Sequence, residues 1–136
     1  MDYIRSLKPE GVILSGGPSS IYEKESPKTH KAILDMGIPV LGICYGMQFI
    51  VHAMGGGVRG AGKREYGFAE LGILRNQGLF KGVDEKTTCW MSHGDSTESL
   101  PEGFEIIAST ENTKIAAVVH EGKKLYGVQF HPEVEH

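Results

Sequence analysis

The chain is expected to fold as an α/β domain whose open, parallel sheet carries an antiparallel extension. Three observations lead there. The first half alternates a short apolar run, a helical pattern and a second short apolar run. The second half is a succession of strand-like segments separated by turn signals. The 136 residues, 40% hydrophobic and 23% charged, suit one globular domain and leave no room for two cores.

Gly11-Val12-Ile13-Leu14-Ser15 is apolar and stops abruptly at Gly16-Gly17-Pro18, the pattern of a buried parallel strand entering a turn. A helix starts near Pro27, a favoured first-turn residue, and turns Ala32, Ile33 and Met36 to one face before Gly37 ends it. Pro39-Val40-Leu41-Gly42-Ile43 reads as a second buried strand, which a right-handed crossover makes parallel to the first. From Tyr45 to Met54 the apolar positions Met47, Ile50, Val51 and Met54 fall at helical spacing. The cluster Gly55-Gly56-Gly57, with Gly60 and Gly62, reads as a helix C-cap running into a surface loop. Beyond it, Thr87–Met91, Glu105–Thr110, Ile115–His120 and Leu125–Phe130 are strand-like, with hairpin connections at Asn112-Thr113 and Glu121-Gly122.

Composition removes several function classes. The 14 Lys+Arg against 17 Asp+Glu give a net charge of −3, so nothing favours the counterion release that drives nucleic-acid binding. No apolar run approaches the ~18 residues of a membrane span, and Met1-Asp2-Tyr3-Ile4-Arg5 lacks signal-peptide architecture. A cytoplasmic protein without nucleic-acid or membrane partners is the expectation. The two cysteines, Cys44 and Cys89, are too few for a disulfide framework. Cys89, beside Trp90 on a strand, reads as a small buried hydrophobe. The six histidines lack the spacing of metal ligands, and His52 reads as a polar position on its helix, so no metal is expected.

Gly42-Ile43-Cys44-Tyr45-Gly46 places a cysteine at a strand-to-helix junction with glycine two residues away on either side. This is the nucleophile-elbow pattern with sulfur in place of oxygen, its glycines letting strand and helix approach without Cβ clashes. The positive end of the helix dipole is expected to lower the Cys44 pKa below the free value of ~8.5; the competing reading is a structural cysteine beside packing glycines. His131-Pro132-Glu133 closes the last strand. Residues two apart in an extended segment share a face, so Glu133 is placed to hold one imidazole proton and leave the other nitrogen for a thiol. Taken alone the tripeptide reads as a solvated strand end; with the elbow it reads as a nucleophile–His–acid set. Backbone amides at Gly17 and Tyr45 are candidates for an oxyanion hole.

Leu14-Ser15-Gly16-Gly17-Pro18, Gly42-Ile43-Cys44-Tyr45-Gly46-Met47-Gln48 and Gly127-Val128-Gln129-Phe130-His131-Pro132-Glu133 occur in the order and contexts of the class I (triad) glutamine amidotransferase domains, which this chain resembles. Within that family, Lys63-Arg64-Glu65-Tyr66-Gly67 and Trp90-Met91-Ser92-His93-Gly94-Asp95 look like the glutaminase domains of GMP synthetases rather than those of anthranilate or carbamoyl-phosphate synthesis, which are the runners-up. The resemblance implies a flavodoxin-like open, mostly parallel sheet with an antiparallel extension, residues 1–136 forming part of such a domain. It implies glutamine as substrate, Cys44 as nucleophile, His131 as acid and base, Glu133 as its orienting carboxylate, and Gly17 and Tyr45 as oxyanion donors. Gln48 and the segment around Ser92, Gly94 and Asp95 would hold the amino-acid end of the substrate, with Asp95 suited to the ammonium. His93 reads instead as a loop histidine that stabilises its own turn.

The resemblance further implies a partner, an ATP-pyrophosphatase (synthetase) domain or subunit that uses the ammonia to convert xanthosine monophosphate to GMP. ATP and Mg2+ belong to that unit, and no cofactor is expected in this one. Lys63–Gly67 is the candidate contact with that partner, with a solvated charge run as the alternative. The family domain usually has an added strand and helix before Gly11 and a helix after Glu133. Their apparent truncation here predicts exposed sheet surface, and hence a partner or self-association into a homo-oligomer. Asp95-Ser96-Thr97-Glu98-Ser99 departs from the family pattern, which weakens the substrate-binding assignment. A non-catalytic regulatory module of the same fold is the alternative to an enzyme.

Overall fold

The computed structural model describes residues 2–15, 31–59 and 65–134. Gly16-Gly17-Pro18, the helix start at Pro27, and Gly60, Gly62, Lys63 and Arg64 lie outside the described residues. The elements are α1 (Asp2–Ser6), β1 (Val12–Leu14), β2 (Val40–Ile43), α2 (Tyr45–Ala53), β3 (Gly57–Arg59), β4 (Glu65–Ile73), β5 (Lys86–His93), β6 (Ser96–Ser99), β7 (Glu105–Ser109), β8 (Ala117–His120) and β9 (Leu125–Val128). Short 3-10 helices cover Lys31–Asp35 and Gly78–Phe80. No helix among the described residues is long and apolar enough to cross a membrane.

Seven strands form one sheet in the order β1-β2-β9-β8-β7-β4-β5, and β3 pairs with β6 in a separate ribbon. β1 and β2 are parallel, as are β2 and β9. The remaining neighbours, β9 with β8, β8 with β7, β7 with β4 and β4 with β5, are antiparallel. The α/β architecture with a parallel part and an antiparallel extension is therefore present, and among the described residues the antiparallel share is the larger. Its size comes from β4, a nine-residue strand in a stretch between the glycine cluster and Thr87 where the sequence pattern predicts none. The strand hides its alternation. Leu71 and Ile73 face inward and are buried, but Gly67 and Gly72 interrupt the pattern, and the aromatic Tyr66 and Phe68 occupy the exposed face.

Other elements depart from expectation for local reasons. α1 precedes β1 in a segment whose pattern predicts no helix; Ser6 Oγ donates to Tyr3 O across its turn (2.6 Å), and Ile4 packs on the core. The described part of the helix expected after Pro27 is a 3-10 helix that buries Ile33 and Leu34 rather than Ala32, and Gly37 follows it at φ 77°. β1, expected to be buried, is an edge strand with Ile13 66% exposed. Its side chains alternate between two faces, and only Val12 and Leu14 pack against the core. The glycine cluster caps α2 as expected, Gly55 taking φ 99°, but Gly57 then opens β3 rather than a loop. β6 takes up Ser96–Ser99, the segment that departs from the family pattern, and β3 is its partner. Both hairpin connections lie where expected, between β7 and β8 and between β8 and β9.

Two apolar clusters hold the layers together. One gathers Met47, Ile50 and Val51 of α2 with Ile33, Leu34, Val40, Val118 and Leu125. The other joins Leu71, Cys89, Met91, Ile107, Val128 and Phe130. α2 lies against the parallel strands so closely that side chains are excluded at the contact. A Cβ on Gly46 would sit 2.1 Å from the Leu14 carbonyl oxygen, one on Gly42 would sit 2.5 Å from Gly46 backbone atoms, and one on Gly127 would sit 2.7 Å from Met47 Cγ.

Gly46→Ala is expected to destabilise the fold by about 1–3 kcal/mol through forced backbone displacement. Gly72→Ala, whose added methyl would meet Ser109 O at an ordinary 3.7 Å, is expected to change stability by no more than about 0.5 kcal/mol. Urea unfolding of the two variants beside the parent chain measures the contrast.

Candidate active site

The site forms where two parallel strands end side by side. β2 and β9 pair from Val40 with Leu125 to Ile43 with Val128, and the Cys44 amide extends the ladder by donating to Val128 O (2.7 Å). Cys44 comes directly after β2, and His131 lies just beyond the end of β9. A third strand fixes the histidine, because the His131 amide donates to Trp90 O of β5 (2.9 Å). One end of the sheet thus gathers residues of β2, β9 and β5.

Cys44 adopts φ 54° and ψ −107°, a conformation that costs a non-glycine residue on the order of 1–3 kcal/mol. The strain is that of a sharp elbow: strand geometry ends at Ile43 and α2 begins at Tyr45. The two flanking glycines are required for the reason their spacing suggests, since each meets backbone where a Cβ would stand. Cys44 is 3% exposed. Its Sγ donates to Ser92 O (3.5 Å) and accepts from Gln129 Nε2 (3.6 Å).

The expected depression of the Cys44 pKa is not what the structure has. Burial pushes the thiol above its ordinary range, outweighing the Tyr45 amide and the Gln129 amide, both of which favour the thiolate, while the Glu133 carboxylate adds to the rise. A helix terminus contributes about 0.3–1 kcal/mol, too little to offset removal of a thiolate from water. Burial thus favours the thiol form of Cys44. Cys89 is buried within the second cluster, as its sequence context predicts, and desolvation pushes its pKa to about 11.

His131 Nδ1 donates to Glu133 Oε2 (3.0 Å), so the histidine and carboxylate share a face across Pro132 as expected. The imidazole is 17% exposed and the carboxylate 59%. Burial pushes Glu133 upward, but its own backbone amide and the His131 imidazole prevail, and its pKa lies below the ordinary carboxylate value.

The other predicted residues among those described lie on α2, on β5 and in the turn after it. Gln48 lies on the inner face of α2 and is buried, its Nε2 donating to Asp95 O (3.0 Å) and Gln129 Oε1 (3.2 Å). Ser92 belongs to β5, and Gly94 and Asp95 to the turn after it. Asp95 Oδ2 is buried and has no hydrogen-bond partner among the described residues. It is an unsatisfied acceptor on the residue whose carbonyl holds Gln48. The Tyr45 amide faces the sulfur, whereas Gly17 lies outside the described residues. The Leu14 carbonyl, against which Gly46 packs, shows that the end of β1 adjoins the elbow.

His93 does brace its own turn, through Nδ1 to Asp95 O (2.9 Å), but as the buried last residue of β5 rather than a loop residue. Its Nε2 faces Glu65 Oε1 (3.2 Å), which also accepts from the Thr113 hydroxyl. Glu65, Thr113 and Gln129 are polar neighbours for which the sequence reading names no site role: Glu65 lies in the Lys63–Gly67 segment read as a partner contact, Thr113 in a hairpin connection, and Gln129 within the last strand's motif as a polar residue inside an apolar run. His52 is exposed on α2, and no group of three His, Cys, Asp or Glu is arranged to hold a metal among the described residues. A cavity of about 310 Å3 lined by Leu41, Phe80, Cys89, Val128, Phe130 and His131 reaches the histidine without including Cys44.

Comparison with known proteins places the chain in a family. The family model described as glutamine amidotransferase class-I matches residues 1–136. The chain belongs to the class-I glutamine amidotransferases. Among curated proteins it is 54% identical over 136 residues to the glutamine-hydrolyzing GMP synthase of Brachyspira hyodysenteriae, covering 100% of this chain and 26% of that protein. It is 54% identical over 133 residues to that of Gloeobacter violaceus, covering 98% and 24%. The chain thus spans about a quarter of the length of these amidotransferase relatives. A crystal structure of a glutamine amidotransferase from Thermotoga maritima superimposes with a TM-score of 0.80 at 28% identity, over 94% of this chain and 58% of that one.

Cys44 is expected to alkylate with iodoacetamide only above the ordinary thiol range, and Cys89 at higher pH still. Peptide mapping by mass spectrometry between about pH 7 and 11, a window that brackets the ordinary thiol value of ~8.5, measures the Cys44 midpoint and shows the Cys89 reaction only rising toward the top of the range.

Proposed function

We propose that this chain hydrolyses the side-chain amide of glutamine, with Cys44 as nucleophile, His131 as proton carrier and Glu133 as the carboxylate that orients it. The observation that carries the reading is the parallel, in-register pairing of β2 with β9, which sets an elbow cysteine and a carboxylate-bound histidine at one end of the sheet. With Nδ1–H held by Glu133, the imidazole has Nε2 left for proton transfer. The Cys44 proton passes to that nitrogen as sulfur attacks the amide carbon. The C–N bond then breaks, the proton goes to the leaving nitrogen, and ammonia departs from a γ-glutamyl thioester. Water gives a proton to His131, its oxygen attacks the thioester carbon, the C–S bond breaks, and the proton returns to sulfur.

The Tyr45 amide, with Gly17 as second donor, receives the oxyanion; one such donor is worth ~2.7–4 kcal/mol in the transition state. The unpartnered Asp95 Oδ2 supports this residue as the site of the substrate ammonium. Gln48 and the backbone of Ser92 and Gly94 line the same end.

The names of the relatives support a further step, in which the ammonia serves GMP synthesis by an ATP-pyrophosphatase domain or subunit. In that arrangement ATP and Mg2+ act on the partner, and this unit supplies nitrogen.

Glutamate release from glutamine, measured with the parent chain and three variants, tests the assignment. Cys44→Ala is expected to abolish turnover, a loss of roughly 10⁴-fold or more. Glu133→Gln should lower kcat by at least about 10²-fold with little change in KM, since it disturbs the imidazole and not the substrate. Asp95→Asn should raise KM by about 10- to 100-fold, the value of a hydrogen bond to a charged group. Undiminished turnover in Cys44→Ala would refute the reading.

A further inference from the structure

We propose that Gln129 is an additional catalytic group, whose side-chain amide donates to the Cys44 sulfur as it ionises and is held in that orientation by Gln48 and, through the Asp95 carbonyl, by His93. The proposal rests on the reading of Cys44 as nucleophile. Its basis is a chain of hydrogen bonds whose polarity is set at one end by a backbone oxygen.

The Asp95 carbonyl can only accept. Both groups facing it, His93 Nδ1 at 2.9 Å and Gln48 Nε2 at 3.0 Å, must therefore donate. This fixes the Gln48 amide with its NH2 group toward Asp95 and toward Gln129. Gln129 must then present its carbonyl oxygen, which accepts from Gln48 Nε2 at 3.2 Å. The remaining end of the Gln129 amide is its NH2 group, and it points at Cys44 Sγ, 3.6 Å away. The side chain is fully buried, and its backbone is tied by donation to Ala116 O (2.8 Å). A flip of Gln129 would set its oxygen against the sulfur's lone pairs and its NH2 group against that of Gln48. At the far end, His93 Nε2 lies 3.2 Å from Glu65 Oε1, which accepts from the Thr113 hydroxyl.

A buried sulfur needs such a donor. In the thiol form, Sγ–H is taken up by the Ser92 carbonyl, an acceptor that opposes the anion once the proton leaves. The Glu133 carboxylate opposes it as well. Against these stand two donors among the described residues, the Tyr45 amide and Gln129. Gln129 touches the reacting atom; Gln48 and His93 act through it and are positioning residues. If the Tyr45 amide turns to the oxyanion during attack, Gln129 is the donor that stays on sulfur.

The test measures the pH dependence of Cys44 alkylation by iodoacetamide and of kcat/KM for glutamine, in the full chain and in Gln129→Met, Gln48→Met and the double variant. Iodoacetamide has no amino-acid end, so its reaction is blind to any contact Gln48 makes with substrate. Loss of a hydrogen bond to a charged group should move the alkylation midpoint of Gln129→Met upward by about 1–2 pH units. The acid limb of kcat/KM should move with it, activity recovering at high pH. Gln48→Met should shift the midpoint in the same direction by less, and the double variant should match Gln129→Met, because the two residues act in series. An unmoved midpoint in folded Gln129→Met overturns the proposal. If circular dichroism shows that variant to be unfolded, the midpoint of Gln48→Met decides in the same way. A parent chain that releases no glutamate and forms no Cys44 adduct with a glutamine-derived diazo-ketone overturns the underlying reading instead.

Discussion

The pairing of β2 with β9 is the constraint on which the rest of the molecule depends. The two strands are separated in sequence by most of the chain, yet they run parallel with Gly42 opposite Gly127 and Ile43 opposite Val128. Parallel strands end on the same side of a sheet, so the residues that continue each strand meet there. Cys44 continues β2, and Gln129, Phe130 and His131 continue β9. A shift of one residue in this register would reverse the faces of β9 and carry the polar Gln129 away from the sulfur. The glycines explain why the register admits α2: Gly127 makes room for Met47, while Gly46 lies against the Leu14 carbonyl.

Burial both assembles the site and works against it. Packing of α2 over the parallel strands leaves Cys44 buried in a strained backbone conformation, and that burial raises its pKa. Burial that favours the thiol would protect the proposed nucleophile from indiscriminate alkylation and oxidation. That nucleophile then depends on its neighbours to accept its proton and to solvate the anion in place of water. The polar groups near it are accordingly few and well connected. Gln48, Gln129, His93, Glu65 and Thr113 form one network with the Asp95 carbonyl, and it spans α2, the residue after β9, both strands of the β4–β5 hairpin and the loop before β8. A partly satisfied buried network is costly; here the unsatisfied remainder among the described residues is the Asp95 carboxylate oxygen, the atom proposed above to receive the substrate ammonium.

The antiparallel part of the sheet supplies Glu65 and His93 of this network and a wall of the site. β5 gives the Trp90 carbonyl that holds the His131 backbone and the Ser92 carbonyl that meets the thiol. β4 brings Glu65 to His93, its cross-strand partner. The extension is thus part of the site, even though the chemistry-bearing cysteine and histidine both lie beside the parallel strands.

Local chemistry makes the elbow, the histidine–carboxylate pair and most strands legible in the sequence, because each is a matter of neighbours along the chain: glycines two residues from a cysteine, a proline between His131 and Glu133, apolar runs punctuated by turns. β4 is illegible for an equally physical reason, since glycines and exposed aromatics mask its period. So is the 3-10 character of Lys31–Asp35, where packing of Ile33 and Leu34 prevails over an α-helical spacing. The amino-acid order by itself determined which groups exist to do chemistry. Tertiary structure decided their state: how deeply the thiol is buried, which way two amides point, and which carbonyl faces the sulfur. Those properties arise from atoms far apart in sequence, and only the assembled sheet brings them within hydrogen-bonding distance.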